Sequence, residues 1–256
     1  MMGLSSCTCA HAQRKGSAAE GADTCAIVVA GGSGERFGDP RGKQFVELAG
    51  LPLVAWSLLA FDNAPSVAHI VVVCAQDRMD QMQNDVLSRL KLRKKVSLAA
   101  GGATRQDSVF SGLMAAPSEL PFVAIHDAAR PLIEVETIEK CLAAVRTNKK
   151  VDGAICASRT TDTLKLVDGS GRIVGTPDRS QYWCAQTPQS FARKVVVAAH
   201  EAALLQGFVG TDDASLVEHA GGTVCVVESP RDNIKVTVPE DLALAEATLA
   251  ARMGIA

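Results

Sequence analysis

Short, mostly apolar runs punctuate the chain: CAIVVA (25–30), HIVVVC (69–74), VSLAA (96–100), FVAIHDA (122–128), GAICAS (153–158) and TVCVVE (223–228). Each is too short for a buried helix and most are rich in Val and Ile, so each predicts a buried strand. Between them LVAWSLLAF, MDQMQNDVLSRL, IEKCLAAVR and VVVAAHEAALL repeat apolar positions at helical spacing. Strands apolar on both faces and separated by helices predict an α/β fold, a single doubly wound, mostly parallel sheet covered on both sides. Right-handed crossovers then leave ligands beyond the carboxyl ends of the strands.

Two stretches depart from that rhythm. TLKLVDGSGRIVGT (163–176) alternates on either side of Asp168-Gly169-Ser170-Gly171, which predicts a β-hairpin. A hairpin leaving such a sheet is either a decorative edge or an arm reaching a neighbouring molecule, and the residues leave both open. The opening residues, MMGLSSCTCAHAQRKGSAAEGADT, are small and polar, without periodicity or the apolar core of a secretory signal. They read as a disordered extension over 1–22, with one folded domain over 23–256 and neither an internal repeat nor a second-domain linker.

Composition narrows the partners. With 256 residues the chain is long enough for a sizeable core, and its formal net charge of -2 excludes the basic excess of a general nucleic-acid or membrane-surface binder. No apolar run approaches the roughly 18 residues that cross a bilayer. Of the eight cysteines, Cys25, Cys74, Cys156 and Cys225 fall in strand patterns, where cysteine acts as a small hydrophobe. No Cys-x-x-Cys occurs, so a reducing cytoplasm is the expected compartment.

The candidate chemistry sits at strand ends. After the first strand comes Ala30-Gly31-Gly32-Ser33-Gly34-Glu35-Arg36-Phe37-Gly38, then Lys43-Gln44. Glycines let successive N–H groups converge on phosphate oxygens, and Arg36 and Lys43 add positive charge beside that nest. The spacing misses the Rossmann dinucleotide pattern, and Gly42-Lys43-Gln44 lacks the hydroxyl of a Walker loop. Gly101-Gly102-x-x-Arg105-x-x-Ser108 leaves another strand and opens a helix; it fits either a base-reading loop or a helix cap. His126-Asp127-Ala128-Ala129-Arg130-Pro131 ends the fourth run. There Asp127 suits Mg²⁺ or a hydroxyl and Arg130 a phosphate, while His126 reads better as a satisfied core histidine than as a base. Thr163, Lys165, Arg179, Gln186-Thr187-Pro188-Gln189, Thr211-Asp212-Asp213 and Asp232-Asn233-Ile234-Lys235-Val236-Thr237 are each explained singly as an exposed charge or a cap. Cations recurring beside Thr hydroxyls at strand ends point to a second phosphate pocket.

As a set, AGGSGERFG with KQF, GGATRQDSV, HDAARP, DTLK, AQTPQSF, TDDASLVE and DNIKVT resemble the 2-C-methyl-D-erythritol 4-phosphate cytidylyltransferase family of the non-mevalonate isoprenoid pathway, from about Cys25 to Arg252. The resemblance implies cytidylyl transfer from CTP to methylerythritol phosphate with release of pyrophosphate, using Mg²⁺ held mainly through the CTP phosphates. It implies a catalytic set of Arg36, Lys43, Arg179 and Lys235. Arg36 and Lys43 would hold the triphosphate, and Arg179 and Lys235 would orient the acceptor phosphate. Ala30, Gly31, Gly32, Gly34, Gly102, Arg105, Ser108 and Ala128 would line the nucleotide, and Asp127, Arg130, Thr163, Thr187 and Asp232 the acceptor. It makes the hairpin over about 160–182 a homodimer arm, with Arg130, Thr163 and Arg179 serving the partner's site.

Three positions depart from the family pattern: Gly31 stands for a more usual Ala, Gly42 for a Pro, and Ala103 for a frequent acidic residue near the ribose. The chain also ends after one domain, so no fused cyclase is expected. Two other readings remain at this stage, a ribitol or other polyol-phosphate cytidylyltransferase and a non-catalytic nucleotide sensor. Ala129, Asp162-Thr163-x-Lys165 and Trp183-x-Ala185-Gln186 favour the methylerythritol enzyme over the first, and intact Arg36, Lys43 and Lys235 argue against the second.

Overall fold

The computed structural model describes residues 21–32, 37–39 and 41–254. The expected extension over 1–22 therefore lies almost wholly outside the described residues, as do Gly34 and Arg36. Seven strands form one sheet: β1 Thr24–Val29, β2 Val67–Cys74, β3 Lys95–Ala100, β4 Phe122–Asp127, β5 Gly153–Arg159, β6 Trp183–Ala192 and β7 Val224–Glu228. Their order across the sheet is β7-β5-β6-β4-β1-β2-β3. Every neighbouring pair is parallel except those of β6, which runs antiparallel to both β4 and β5. The principal helices are α1 Leu53–Asn63, α2 Arg105–Ala115, α3 Val135–Thr147, α4 Arg193–Gln206, α5 Asp213–His219 and α6 Glu240–Met253.

The two-residue period of β1 divides the core. Ala26 and Val28 face α1 and α3, meeting Val54, Leu58, Phe61, Ile138 and Leu142. Cys25 and Ile27 face the other way, into a cluster with Val109 and Leu113 of α2 and Val196 and Ala199 of α4. Full burial of a side chain such as Ile27 or Phe61 contributes about 2–3 kcal/mol each. Gly112 shows how tightly α2 presses on β1, since a Cβ there would lie 2.5 Å from Ile27 Cγ2. Burial pushes the Cys25 thiol up to about 12, which leaves it an inert hydrophobe.

The six expected strands are all present, and a seventh joins them. The alternation of β6 is hidden by Pro188, where its pairing with β5 breaks between Ala185 and Gln189, and by a run of buried polar side chains. The segment MDQMQNDVLSRL, expected as a helix, is instead a chain of short turns of three different helical pitches. Only Met82 and Val86 are buried there, too few anchors to hold one regular helix on the sheet.

The predicted hairpin forms, pairing Leu166–Val167 with Ile173–Gly175. Asp168 Oδ1 accepts from the Ser170 and Arg172 N–H groups, and Gly171 takes φ 83° to close the turn. Leu166, Val167, Ile173 and Val174 are all more than half exposed, an apolar surface that a lone two-stranded ribbon cannot bury itself.

Candidate functional site

The strand order reverses direction between β1 and β4, and the segments leaving their carboxyl ends splay apart around a cavity of about 770 Å³. Ala30, Gly31 and Gly32 of the β1 loop form one wall, Gly102, Ala103, Thr104 and Ser108 another, and Asp127, Ala128 and Ala129 the floor beyond β4. Lys43 enters from a single turn over Lys43–Phe45, and its Nζ donates to the Val236 carbonyl at 3.2 Å.

Each wall has a local cause. Thr104 caps α2 by accepting from the Asp107 N–H, while Asp107 returns a bond to the Thr104 N–H. The cap of this helix is thus Thr104, which releases the preceding glycines for close packing. A Cβ on Gly102 would sit 2.3 Å from Asp107 Cβ, so no other residue fits there. Ser108 Oγ accepts from the Gly102 N–H at 3.1 Å and donates to the Thr104 carbonyl at 2.9 Å. Its proton is therefore committed within the loop. Gly31 is a benign departure, since a Cβ would only touch Ser108 Oγ at 3.6 Å. Gly42 is a consequential one: its φ of 87° is closed to proline, so the turn before Lys43 takes a path that only glycine follows easily.

A smaller cleft of about 260 Å³ lies next door, lined by Arg130, Gln186, Thr187, Gln189, Thr211 and Asp212. Arg105, Asp127 and Lys235 line both spaces and form the wall between them. Lys235 Nζ donates to Asp127 Oδ2 at 2.6 Å, and Arg105 Nε donates to Asp127 Oδ1 at 3.0 Å. Burial alone would raise the Asp127 carboxyl, but these two cations outweigh it and hold it well below the usual carboxylate range. Arg130 lies in this cleft of its own chain, its Nη1 donating to the Asn233 carbonyl at 2.7 Å.

His126 is fully buried, as expected of a core histidine. Its Nδ1 lies 3.0 Å from Thr187 Oγ1, which also accepts from the Asp127 N–H, and its Nε2 faces the Arg130 carbonyl at 3.1 Å. The Thr187 hydroxyl is thus spent on holding the end of β4. Burial pushes the His126 ring down to about 4. In the unfolded chain the ring titrates near 6.5, so below that pH the unfolded state binds a proton that the native state refuses. Stability is accordingly full above about pH 6.5 and falls as the pH drops towards about 4. Nitrogen-detected NMR should show the His126 ring neutral throughout pH 5–8; a midpoint near its ordinary value would contradict this burial-driven shift.

Of the residues expected at the site, Ala30, Gly31, Gly32, Lys43, Gly102, Arg105, Ser108, Asp127, Ala128 and Lys235 line the large cavity, and Arg130 and Thr187 the smaller cleft. Gly34 and Arg36 fall outside the described residues. Thr163 and Arg179 are exposed and line neither space; the Arg179 guanidinium donates to the Thr161 carbonyl beside the hairpin. Asp232 also lines neither, because its Oδ2 is paired with Arg252 of α6 at 2.8 Å. Gln44 and Thr237, singled out in the sequence without a role, line the cavity too, and Leu53 lines it without having been anticipated. Nothing in the pattern around Leu53 distinguishes it from core.

Among the described residues no three His, Cys, Asp or Glu side chains converge as a metal cage. Asp127 is the single carboxylate among the described residues of the large cavity, and both its oxygens are engaged. That donor set suits a divalent ion carried in on phosphates, which needs only one or two protein carboxylates and keeps its own waters.

The family model described as IspD, 2-C-methyl-D-erythritol 4-phosphate cytidylyltransferase, matches residues 24–251. The chain is 44% identical over 226 residues to the 2-C-methyl-D-erythritol 4-phosphate cytidylyltransferase of Prochlorococcus marinus, covering 88% of this chain and 98% of that one. It is 40% identical to the protein of that name from Bacillus licheniformis, covering 88% and 95%. The crystal structure of 4-diphosphocytidyl-2C-methyl-D-erythritol synthase from Anaerococcus prevotii is similar at a TM-score of 0.79 and 30% identity, covering 90% of this chain and 99% of that one.

Proposed function

This chain belongs to the 2-C-methyl-D-erythritol 4-phosphate cytidylyltransferase family, and from that premise we propose how its two clefts transfer a cytidylyl group from CTP to 2-C-methyl-D-erythritol 4-phosphate in isoprenoid precursor biosynthesis. CTP occupies the large cavity, with its triphosphate along Ala30, Gly31 and Gly32 and against Lys43. Cytosine reaches the Gly102–Ser108 loop, where the remaining lone pair of Ser108 Oγ accepts from the exocyclic amine. The acceptor enters the smaller cleft, which Arg130 and Lys235 make attractive to a phosphomonoester.

The acceptor's phosphate is already anionic at neutral pH, so its oxygen attacks the α-phosphorus of CTP without a general base. As that P–O bond forms, the bond from the α-phosphorus to the bridging oxygen breaks and its electron pair leaves on pyrophosphate. The task is to bring two anions together in line, which fixed cations do without reorganising. Lys43 stabilises charge growing on the leaving group, and Lys235 holds the incoming phosphate. A divalent cation, bound mainly through the triphosphate, supplies further neutralisation on the phosphate oxygens. Neutral, buried His126 takes no part in proton transfer.

The hairpin with its exposed Leu166, Val167, Ile173 and Val174 serves as a homodimer arm in this reading. Thr163 and Arg179, which line neither cleft of their own chain, then complete the neighbour's acceptor site. Arg130 works in its own chain's cleft, unlike Thr163 and Arg179. The enzyme works in the reducing cytoplasm and needs neither a membrane nor a nucleic-acid partner.

The shared wall carries this reading, because one ammonium, Lys235, borders both substrate spaces. Pyrophosphate release, measured with CTP and Mg²⁺ against methylerythritol phosphate and ribitol 5-phosphate separately, is expected to run with the first acceptor. Faster release with ribitol 5-phosphate would overturn the assignment.

A further inference from the structure

Four charged side chains alternate in sign across and behind the wall between the clefts. Asp213, in the first turn of α5, places Oδ2 2.9 Å from Arg105 Nη1; Arg105 Nε reaches Asp127 Oδ1 at 3.0 Å; and Asp127 Oδ2 meets Lys235 Nζ at 2.6 Å. Asp213 lines neither cleft and its side chain is 1% exposed, so no substrate touches it. Its other close neighbour is His200, equally buried, with Nε2 3.3 Å from Asp213 Oδ1 and its ring stacked on Phe110. The Asp213 N–H donates to Gln189 Oε1, which ties this residue to β6.

A carboxylate so deeply buried is costly unless its charge is used. Here its use follows from what Lys235 must do. To grip an incoming phosphate the Lys235 ammonium has to leave Asp127, and removing one partner from a buried ion pair ordinarily strands the other. Arg105 prevents that, because it keeps Asp127 compensated after Lys235 turns away. The guanidinium also borders the large cavity, where a triphosphate would compete for it. Asp213 opposes that competition by holding the second edge of the fork.

We propose that Asp213 is a positioning residue for cytidylyl transfer, fixing Arg105 against Asp127 so that Lys235 is released to the acceptor's phosphate. The proposal rests on the smaller cleft being the acceptor site. It also assigns Arg105 to the two carboxylates in place of the nucleotide contact expected from the sequence.

The test is steady-state kinetics with each substrate varied, on Asp213→Asn, Arg105→Lys and the double variant. Lysine keeps the charge but cannot bridge two carboxylates. Each single substitution should raise the KM for methylerythritol phosphate about tenfold, in line with loss of one charge-assisted hydrogen bond, and leave the KM for CTP within about twofold. The double variant should be no worse than Arg105→Lys, because Asp213 acts only through Arg105. A lowered Tm with both KM values unchanged would reduce Asp213 to a structural residue and sink the proposal. A matching rise in the KM for CTP would return Arg105 to the nucleotide, and additive effects would break the link between the two residues. If Asp213→Asn does not fold, Arg105→Lys still decides, since an unaltered acceptor KM there overturns the idea. Failure of the parent enzyme with methylerythritol phosphate would instead refute the functional reading, before any variant is compared.

Discussion

Replacing Lys43 with alanine is expected to lower kcat on the order of 10²–10³-fold while shifting the KM for CTP only a few-fold. The asymmetry follows from when the charge is needed. In the proposed binding mode the triphosphate has several partners at once, including the Ala30–Gly32 backbone and a divalent cation, so one lost ammonium should weaken binding modestly. In the transition state negative charge grows on the leaving oxygens, and a group aimed there contributes most at that moment. Lys43 suits that role by position, since it borders the large cavity and leans on the Val236 carbonyl, one residue beyond Lys235. That contact places Lys43 against the residue that follows Lys235 in the chain. Steady-state kinetics on the purified variant would check it. Turnover within a few-fold of the parent would remove Lys43 from the leaving-group side; a large rise in the KM for CTP at unchanged kcat would make it a simple binding residue.

Arg179→Ala should raise the KM for methylerythritol phosphate by about 10- to 100-fold, the loss of a charge-assisted contact to phosphate, with CTP affinity unaltered. Its own chain offers Arg179 no substrate, because it sits on the short turn Arg179–Gln181 beyond the hairpin and borders neither cleft. The proposed function therefore has it act on the partner's site. Mixing Lys43→Ala protomers with Arg179→Ala protomers distinguishes these cases. In a mixed dimer one site carries both substitutions and the other carries neither. At methylerythritol phosphate well below the KM of Arg179→Ala, where both parents are nearly silent, random exchange of equal amounts should therefore restore about a quarter of the parental activity. No recovery, with exchange confirmed by mass spectrometry, would place Arg179 outside the partner's site. Recovery would also show that two chains share a site.

Local pattern was enough for the sheet wherever the strands were apolar. β1, β2, β4 and β5 read directly because burial on both faces selects continuous Val, Ile, Ala and Cys, and the glycine-rich turn after β1 and the double glycine after β3 marked where a ligand could approach the backbone. The hairpin was equally legible, since alternation around Asp168-Gly169-Ser170-Gly171 is a short-range signal. The composition of these segments determined their conformation, and the motifs at their ends determined the chemistry.

What the sequence left dark are features built from polar groups that neutralise one another at a distance. β6 was missed because Gln186, Thr187, Gln189 and Ser190 look like loop residues, yet they are buried. Gln186 accepts from Ser229 and Asn233, and Gln189 accepts from the Asp213 and Ala214 N–H groups, partners between 24 and 47 positions away. Asp213 belonged to a run explained as an exposed charge or a cap and is buried, with Arg105, 108 positions earlier, paired to it. Asp232 read as an acceptor ligand and is instead pinned by Arg252. Hydrophobic burial is written into each segment by its own side chains, so it can be read locally. Burial of a charge depends on which opposite charge the fold brings within hydrogen-bond distance, and only the tertiary structure decided that.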